Sequence, residues 1–507
     1  MVFIGDLNGV FNMKNLKIPA APTFLLLICA FVALLTWFVP AGAYDTLQLN
    51  KVTNSFDVVS SDRSISIPAT QRSLDSLGIH IPIKKFTSGS IWKAITIPNS
   101  YKKLEAKPQN LLSFLQAPIK GIIDTADIIF FVLIIGGLIG IMNVTGAFNA
   151  GISWLGEHLK GKEYWLIVCT TTMIAIGGTT FGLAEETIAF YPILIPIFIA
   201  AGYDAIVPLA SVYIGSSVGT MFSTTNPFST IIASDAAGIN WTTGLESRLL
   251  YLCIATIICI VYILRYANKV QKEPKASLIY TQKIEIENTY KTTKKIPLTL
   301  KLKIILFVFC ACFVVMIYGV SQLNWWFLEM TTVFFTGAIL IGFIARLKER
   351  IFISHFIKGA ADLLSVAIII GIARGISILM DDGMISNTIL YYASEITEGM
   401  HKGVFANLLV VIYGGLSFFI PSSSGMAVLT MPVIAPLADT VEIGREIIVN
   451  CYLYGMGLFA FINPSGLILA TLAMVQISFD KWLKFVMPLV MFLLLFVLII
   501  TTISVTF

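Results

Sequence analysis

Four polar breaks inside apolar stretches constrain this chain more than any other feature, because they come as two matched pairs. The first pair is Gly178-Thr-Thr-Phe-Gly-Leu-Ala-Glu-Glu186 followed by Ser223-Thr-Thr-Asn-Pro227. The second is Phe419-Ile-Pro-Ser-Ser-Ser-Gly425 followed by Phe461-Ile-Asn-Pro-Ser-Gly466. Hydrocarbon does not tolerate open backbone unless protein or a water-filled cavity satisfies it. Two pairs of breaks at membrane depth therefore predict a binding site built between two halves of a transporter-like protein.

The composition agrees with a membrane setting: 57% of residues are hydrophobic and 12% charged, where a soluble domain carries about 25% charged residues. Apolar runs long enough to cross ~30 Å of hydrocarbon recur throughout. The reading is an all-α polytopic membrane protein with one transmembrane domain. The net charge of +5 is small, and Lys and Arg sit mainly in loops, where they act as orientation signals rather than as a nucleic-acid surface. Seven cysteines and four scattered histidines show no metal-ligand spacing. No cofactor or metal is expected beyond a coupling Na+ or H+, and the expected partners are a small-molecule substrate and the lipid bilayer.

Charge placement sets the topology. The lysine-rich stretch 265–303 and the cluster Arg346-Leu-Lys-Glu-Arg350 are assigned to the cytoplasm. Residues 1–45 hold an N-terminal segment and a retained first span, with Met13 as an alternative start. The polar stretch 46–118 is an extracytoplasmic insert. Residues 119–245 form a first inverted repeat, 246–358 the connecting spans, 359–480 a second inverted repeat and 481–507 the last span. Expected within this frame are about nine full spans, among them 122–143, 362–380 and two broken helices at 205–236 and 445–476. Segments 163–201 and 404–441 each have two apolar arms around a Gly- or Ser-rich tip. They are read as re-entrant hairpins, although two full crossings give the same parity.

The halves repeat in order. Ala126-Asp-Ile-Ile129 matches Ala361-Asp-Leu-Leu364, Pro192 and Pro196 match Pro432 and Pro436, and Asn226-Pro227 matches Asn463-Pro464. The offset runs from 235 (126 to 361) to 240 (192 to 432). Three intervening spans are an odd number, which inverts the second repeat relative to the first. Asp127 and Asp362 then start equivalent spans near opposite faces, where a capping or interfacial role is expected.

The candidate chemistry differs between the repeats. Glu185 and Glu186 place two adjacent carboxylates at a hairpin tip, a costly arrangement in hydrocarbon unless they bind a cation, carry a proton or reach the headgroups. Thr187, Asn226, Ser422, Ser423, Ser424, Gly425 and Asn463 complete the substrate-binding candidates. Thr179, Thr180, Thr225, Pro464, Ser465 and Gly466 are the coupling-ion candidates, since hydroxyls and carbonyls are hard ligands. Structurally, the same residues read as proline kinks with hydroxyls bonded to the preceding turn. Arg374, deep in a span, is a counter-ion candidate for Glu185, Glu186, Asp381 or Asp382, or a ligand for a substrate carboxylate.

Across Val39-Pro-Ala-Gly-Ala-Tyr-Asp45, Ala126-Asp-Ile-Ile-Phe-Phe131, Gly178 to Thr187, Asn226-Pro-Phe-Ser-Thr230 and Ile420-Pro-Ser-Ser-Ser-Gly-Met426, the chain resembles the YfcC family. That family lies in the C4-dicarboxylate anaerobic carrier-like group of the ion transporter superfamily. The resemblance covers nearly the whole chain. It implies a homodimeric transporter of the bacterial inner membrane with hairpin-and-broken-helix architecture and a basic amino acid as exchanged substrate. The outer insert is longer than the family pattern. The stretch Phe459-Ala-Phe461 is more apolar than expected for a sodium site.

The first functional expectation is alternating-access transport of arginine or ornithine, with the glutamates attracting the side chain. A sodium- or proton-coupled C4-dicarboxylate carrier is the second. A channel, or a membrane sensor with a vestigial transport site, is the reading from another class. No catalytic triad, metal cluster or phosphate loop points to an enzyme.

Overall fold

Each half of the chain contains a pair of helices joined by a one-residue elbow. Leu111–Asp124 meets Ala126–Thr145 at Thr125, and Glu349–Asp362 meets Leu364–Asp382 at Leu363. Both elbow residues leave helical geometry, with φ/ψ of −109°/23° and −100°/3°. The spans expected at 122–143 and 362–380 are the apolar second limbs. The first limbs carry Lys120, Asp124, Lys358 and Asp362, so their hydropathy hides them.

The limbs cross between the repeats. A Cβ on Gly121 would stand 2.1 Å from the carbonyl oxygen of Gly371 and 2.7 Å from the nitrogen of Gly375. On Gly359 it would stand 2.2 Å from the carbonyl oxygen of Gly136 and 2.8 Å from the nitrogen of Gly140. The same contact is thus made twice, on two Gly-x-x-x-Gly pairs that let backbones touch. This corrects the expected pairing of acids: Asp362 ends its first limb as Asp124 ends the other, and Asp127 has no counterpart. Apolar sequence aligns too loosely to reveal a shift of three residues. Asp127 and Asp362 also lie at the elbows, where the two limbs of their helix pairs meet.

The computed structural model describes residues 21–506 apart from 61–62, 90, 92, 159–161, 283–296, 324, 398–399 and 442. Met13 and the middle of the lysine-rich loop lie outside the described residues. Among the described residues, nine helices are long and apolar enough to cross a membrane. They include the first hairpin arms, Tyr164–Phe181 and Lys402–Phe419, but not the broken helices, whose first halves Ile206–Met221 and Arg445–Ala460 have only 16 residues each. The chain is an all-α polytopic membrane protein.

The insert is folded. Thr46–Asn50, Ser55–Val59 and Ser64–Pro68 form an antiparallel sheet completed by Ile95–Thr96. Leu47, Phe56 and Ile95 of its strands, with Phe86 of the short helix Ile83–Thr87, fill its core; strands this short and polar show the period-two pattern weakly. The segment read only as a polar insert is a small β-rich domain.

Candidate functional site

Each broken helix is tied to the hairpin of its own repeat by an asparagine. Asn226 Nδ2 donates to Gly178 O (3.3 Å), while its Oδ1 accepts from Phe228 N (2.9 Å). Asn463 Nδ2 donates to Ser417 O (2.7 Å), while its Oδ1 accepts from Ser465 N (3.0 Å). Asn226 thereby caps the helix half that starts after its break, Asn463 closes the turn that precedes Ile468, and each amide also bonds the end of a hairpin arm. Gly182, at φ +78°, leaves room for this; a Cβ there would stand 2.8 Å from the Asn226 amide. Each tip therefore stops level with its neighbour's break. Pro227–Ala236 and Ile468–Val475 still continue beyond it. That is the geometry of a re-entrant hairpin.

Several hydroxyls singled out in the sequence serve this joint. Thr179 Oγ1 donates to Phe222 O (3.2 Å) and accepts from Thr224 N (3.0 Å). Thr225 Oγ1 donates to Thr180 O (3.2 Å), Thr180 Oγ1 to Ile176 O (2.6 Å) and Thr187 Oγ1 to Ala184 O (2.5 Å). Ser465 Oγ donates to Phe418 O (2.7 Å), Gly466 N donates to Asn463 O (3.1 Å), and Pro464 is buried between them. Ser422 Oγ accepts from Gly425 N (3.1 Å).

The tip groups differ. Glu185 and Glu186 begin a 3-10 turn, Glu185–Phe190, and are only part-buried; Glu186 Oε2 accepts from Ala184 N (3.0 Å). Among the described residues no basic side chain pairs with either carboxylate, and Asp127 stands within Coulombic reach of Glu185. At the second tip, Ser423 O accepts from Tyr452 OH (2.8 Å), and Ser424 Oγ accepts from Lys93 Nζ (2.8 Å). Lys93 belongs to the insert. Burial, and then the nearby Arg374 charge, hold its ammonium below the usual lysine range.

Arg374 is a counter-ion, but its partner is Asp124 (2.5 Å), across the glycine crossing of the two elbows. This corrects the expected pairing with Glu185, Glu186 or Asp382, the last taken by Lys120 at 2.8 Å; Asp381 stays within Coulombic reach of Arg374 without pairing with it. The repeats meet where Tyr213 OH donates to Ala460 O (2.8 Å) and Gly457 packs on Met221, so the two breaks adjoin. Sequence reasoning missed Ser417, which acts through its carbonyl, Thr224, which bonds Thr179 through its backbone nitrogen and its hydroxyl, and Lys93, whose partner is 331 positions away.

A cavity of about 460 Å³ opens beside these elements, lined by Pro192 and Pro196 of the first return arm, Asn143, Asn149, Asp362 and Gln476. By the orientation that the basic loops predict, it faces the cytoplasm.

The family model for the C4-dicarboxylate anaerobic carriers matches residues 18–506. An uncharacterized protein of Haemophilus influenzae is 41% identical over 489 residues, 95% of this chain and 96% of that protein. YfcC of Escherichia coli, named as a candidate basic amino acid antiporter, is 30% identical over 492 residues, 93% of each chain. The solved YdaH transporter of Alcanivorax borkumensis is 12% identical, covers 96% of this chain and 98% of its own, and gives a TM-score of 0.37.

Proposed function

The chain belongs to the C4-dicarboxylate anaerobic carrier family and is a membrane transporter, and from that premise we propose that its substrate is a basic amino acid such as arginine or ornithine. It is moved by alternating access, through exchange or with a coupling Na+ or H+, across a bilayer that we take to be the bacterial inner membrane. We take the working unit to be a homodimer, and the work to be transport rather than catalysis. The observation that carries this reading is the pair Glu185 and Glu186: two part-accessible carboxylates at a re-entrant tip, without a basic partner among the described residues. Anions at membrane depth need a cation, and a cationic solute supplies one. The name of the 30% identical relative supports the same substrate class.

A second reading, a C4-dicarboxylate carrier, is favoured by the description of the family and by the positive charge of Lys93 and Arg374 near the second tip. Counterflow in proteoliposomes with labelled arginine, ornithine, aspartate and succinate, with and without sodium, separates the two. Arginine or ornithine exchange is expected, and Glu185→Gln and Glu186→Gln should each abolish most of it while the protein still inserts. Succinate exchange indifferent to arginine sinks the first reading.

A further inference from the structure

The two elbows are copies in geometry but not in charge. At the first, Asp124 meets Arg374. By these contacts the first limbs register at a shift of 238 (359 − 121) and the second limbs at 235 (371 − 136), so Asp362 stands for Asp124 while position 374 corresponds to 139 (374 − 235), which is Ile139. The acid at the second elbow, Asp362, thus has an isoleucine where its counterpart has an arginine. Asp362 and Ile139 both line the cavity of about 460 Å³, and among the described residues lining it none is basic. No described cation pairs with Asp362.

The depth of this acid matters. Gly359 touches Gly136, which is nine residues (145 − 136) from the end of its helix at Thr145. At 1.5 Å per residue that is about 14 Å from that helix end, and Asp362 lies almost a further turn along. A carboxylate at such depth needs water or a cation. The cavity admits water, and Asn143, Asn149, Ser365 and Gln476 give it polar walls.

We propose that this cavity is a binding vestibule for a cationic solute, with Asp362 taking its ammonium or guanidinium group. Only the identity of the solute rests on the reading of the chain as a basic amino acid transporter; the preference for positive charge follows from Asp362 itself.

The test therefore has two arms, both in full-length protein lacking the exposed Cys169, Cys253 and Cys310. In the first, Ser365→Cys is modified with positively and negatively charged methanethiosulfonate reagents from the cytoplasmic side, with rates scaled to those of a free thiol. The positive reagent should react faster, and adding Asp362→Asn should remove the difference. Equal rates in the parent, or a preference that survives Asp362→Asn, overturn the proposal whatever the substrate is. In the second, Asp362→Asn should raise the cytoplasmic-side KM for arginine about fivefold, the upper end for a solvent-screened ion pair, leave the outer-side KM unchanged, and be rescued by Asp362→Glu. An equal change on both sides assigns Asp362 a structural role and overturns the proposal. Absence of arginine transport in the parent, with the reagent preference intact, counts against the substrate reading alone.

Discussion

An amide side chain suits a helix break because it carries a donor and an acceptor on one short stem. Asn226 and Asn463 use both, the acceptor on the backbone just after the break and the donor on the hairpin carbonyl, and both are buried, at 2% and 4% exposure. Removing the amide leaves Gly178 O or Ser417 O without that donor, at about 1–3 kcal/mol for a buried group. Asn226→Ala and Asn463→Ala should each lower the thermal unfolding midpoint in detergent, since each asparagine holds the hairpin of its own repeat. Unchanged midpoints would mean that water replaces the amide. The asparagines themselves were legible in the sequence, because Asn-Pro inside an apolar run is a recognisable break. Their partners were not, because a backbone carbonyl leaves no mark on residue identity. A hydroxyl bonded back to its preceding turn is what Thr180 shows, whereas Thr179 and Ser465 bond across to another element.

Glycine contacts decide how the elements meet. The second limbs were legible from hydropathy alone, but the first limbs were not, since charged residues dilute them. The sheet of the insert escaped because its strands are short and its polar faces dominate. Gly121 and Gly359 are where this matters energetically: a methyl group at either would overlap backbone atoms that cannot rotate away. Gly121→Ala and Gly359→Ala should each reduce the yield of folded protein and lower its unfolding midpoint, by ~1–3 kcal/mol where the helices can part slightly. Gly415, within the helix Lys402–Ser417, has nothing within 4 Å of a Cβ. Gly415→Ala should be neutral or stabilising by about 0.5–1 kcal/mol, the helix-propensity gain. A loss at Gly415 equal to that at Gly121 would show that steric overlap is not the cause.

At the scale of the whole molecule, two lysines dock the insert on the helical body, away from the residues that line the large cavity. The insert reaches into the helical body twice, with Lys85 on the buried Asp235 (2.5 Å) and Lys93 on Ser424 (2.8 Å), while the large cavity lies on the side assigned to the cytoplasm. Under the alternating access proposed above, any single state opens to one side alone. Release of the insert should then accompany opening to the other side, and Lys93 makes that release depend on pH. Its pKa is lower in the docked state than in the undocked state, first through burial and then through Arg374. In the window between the docked value and the ordinary lysine value near 10.5, the undocked state holds more protons, so docking strengthens as pH rises. The neutral amine still donates to Ser424, so deprotonation relieves the burial and the repulsion without losing that bond. A spin-label pair on Ser76 in the insert and Thr242 beyond the first broken helix, both exposed, reads the distance between the two bodies. The long-distance, undocked fraction should shrink as pH is raised toward 10, and Lys93→Gln should flatten that dependence. An undocked fraction that grows with pH, or a profile that Lys93→Gln leaves intact, would mean that Lys93 does not control the contact.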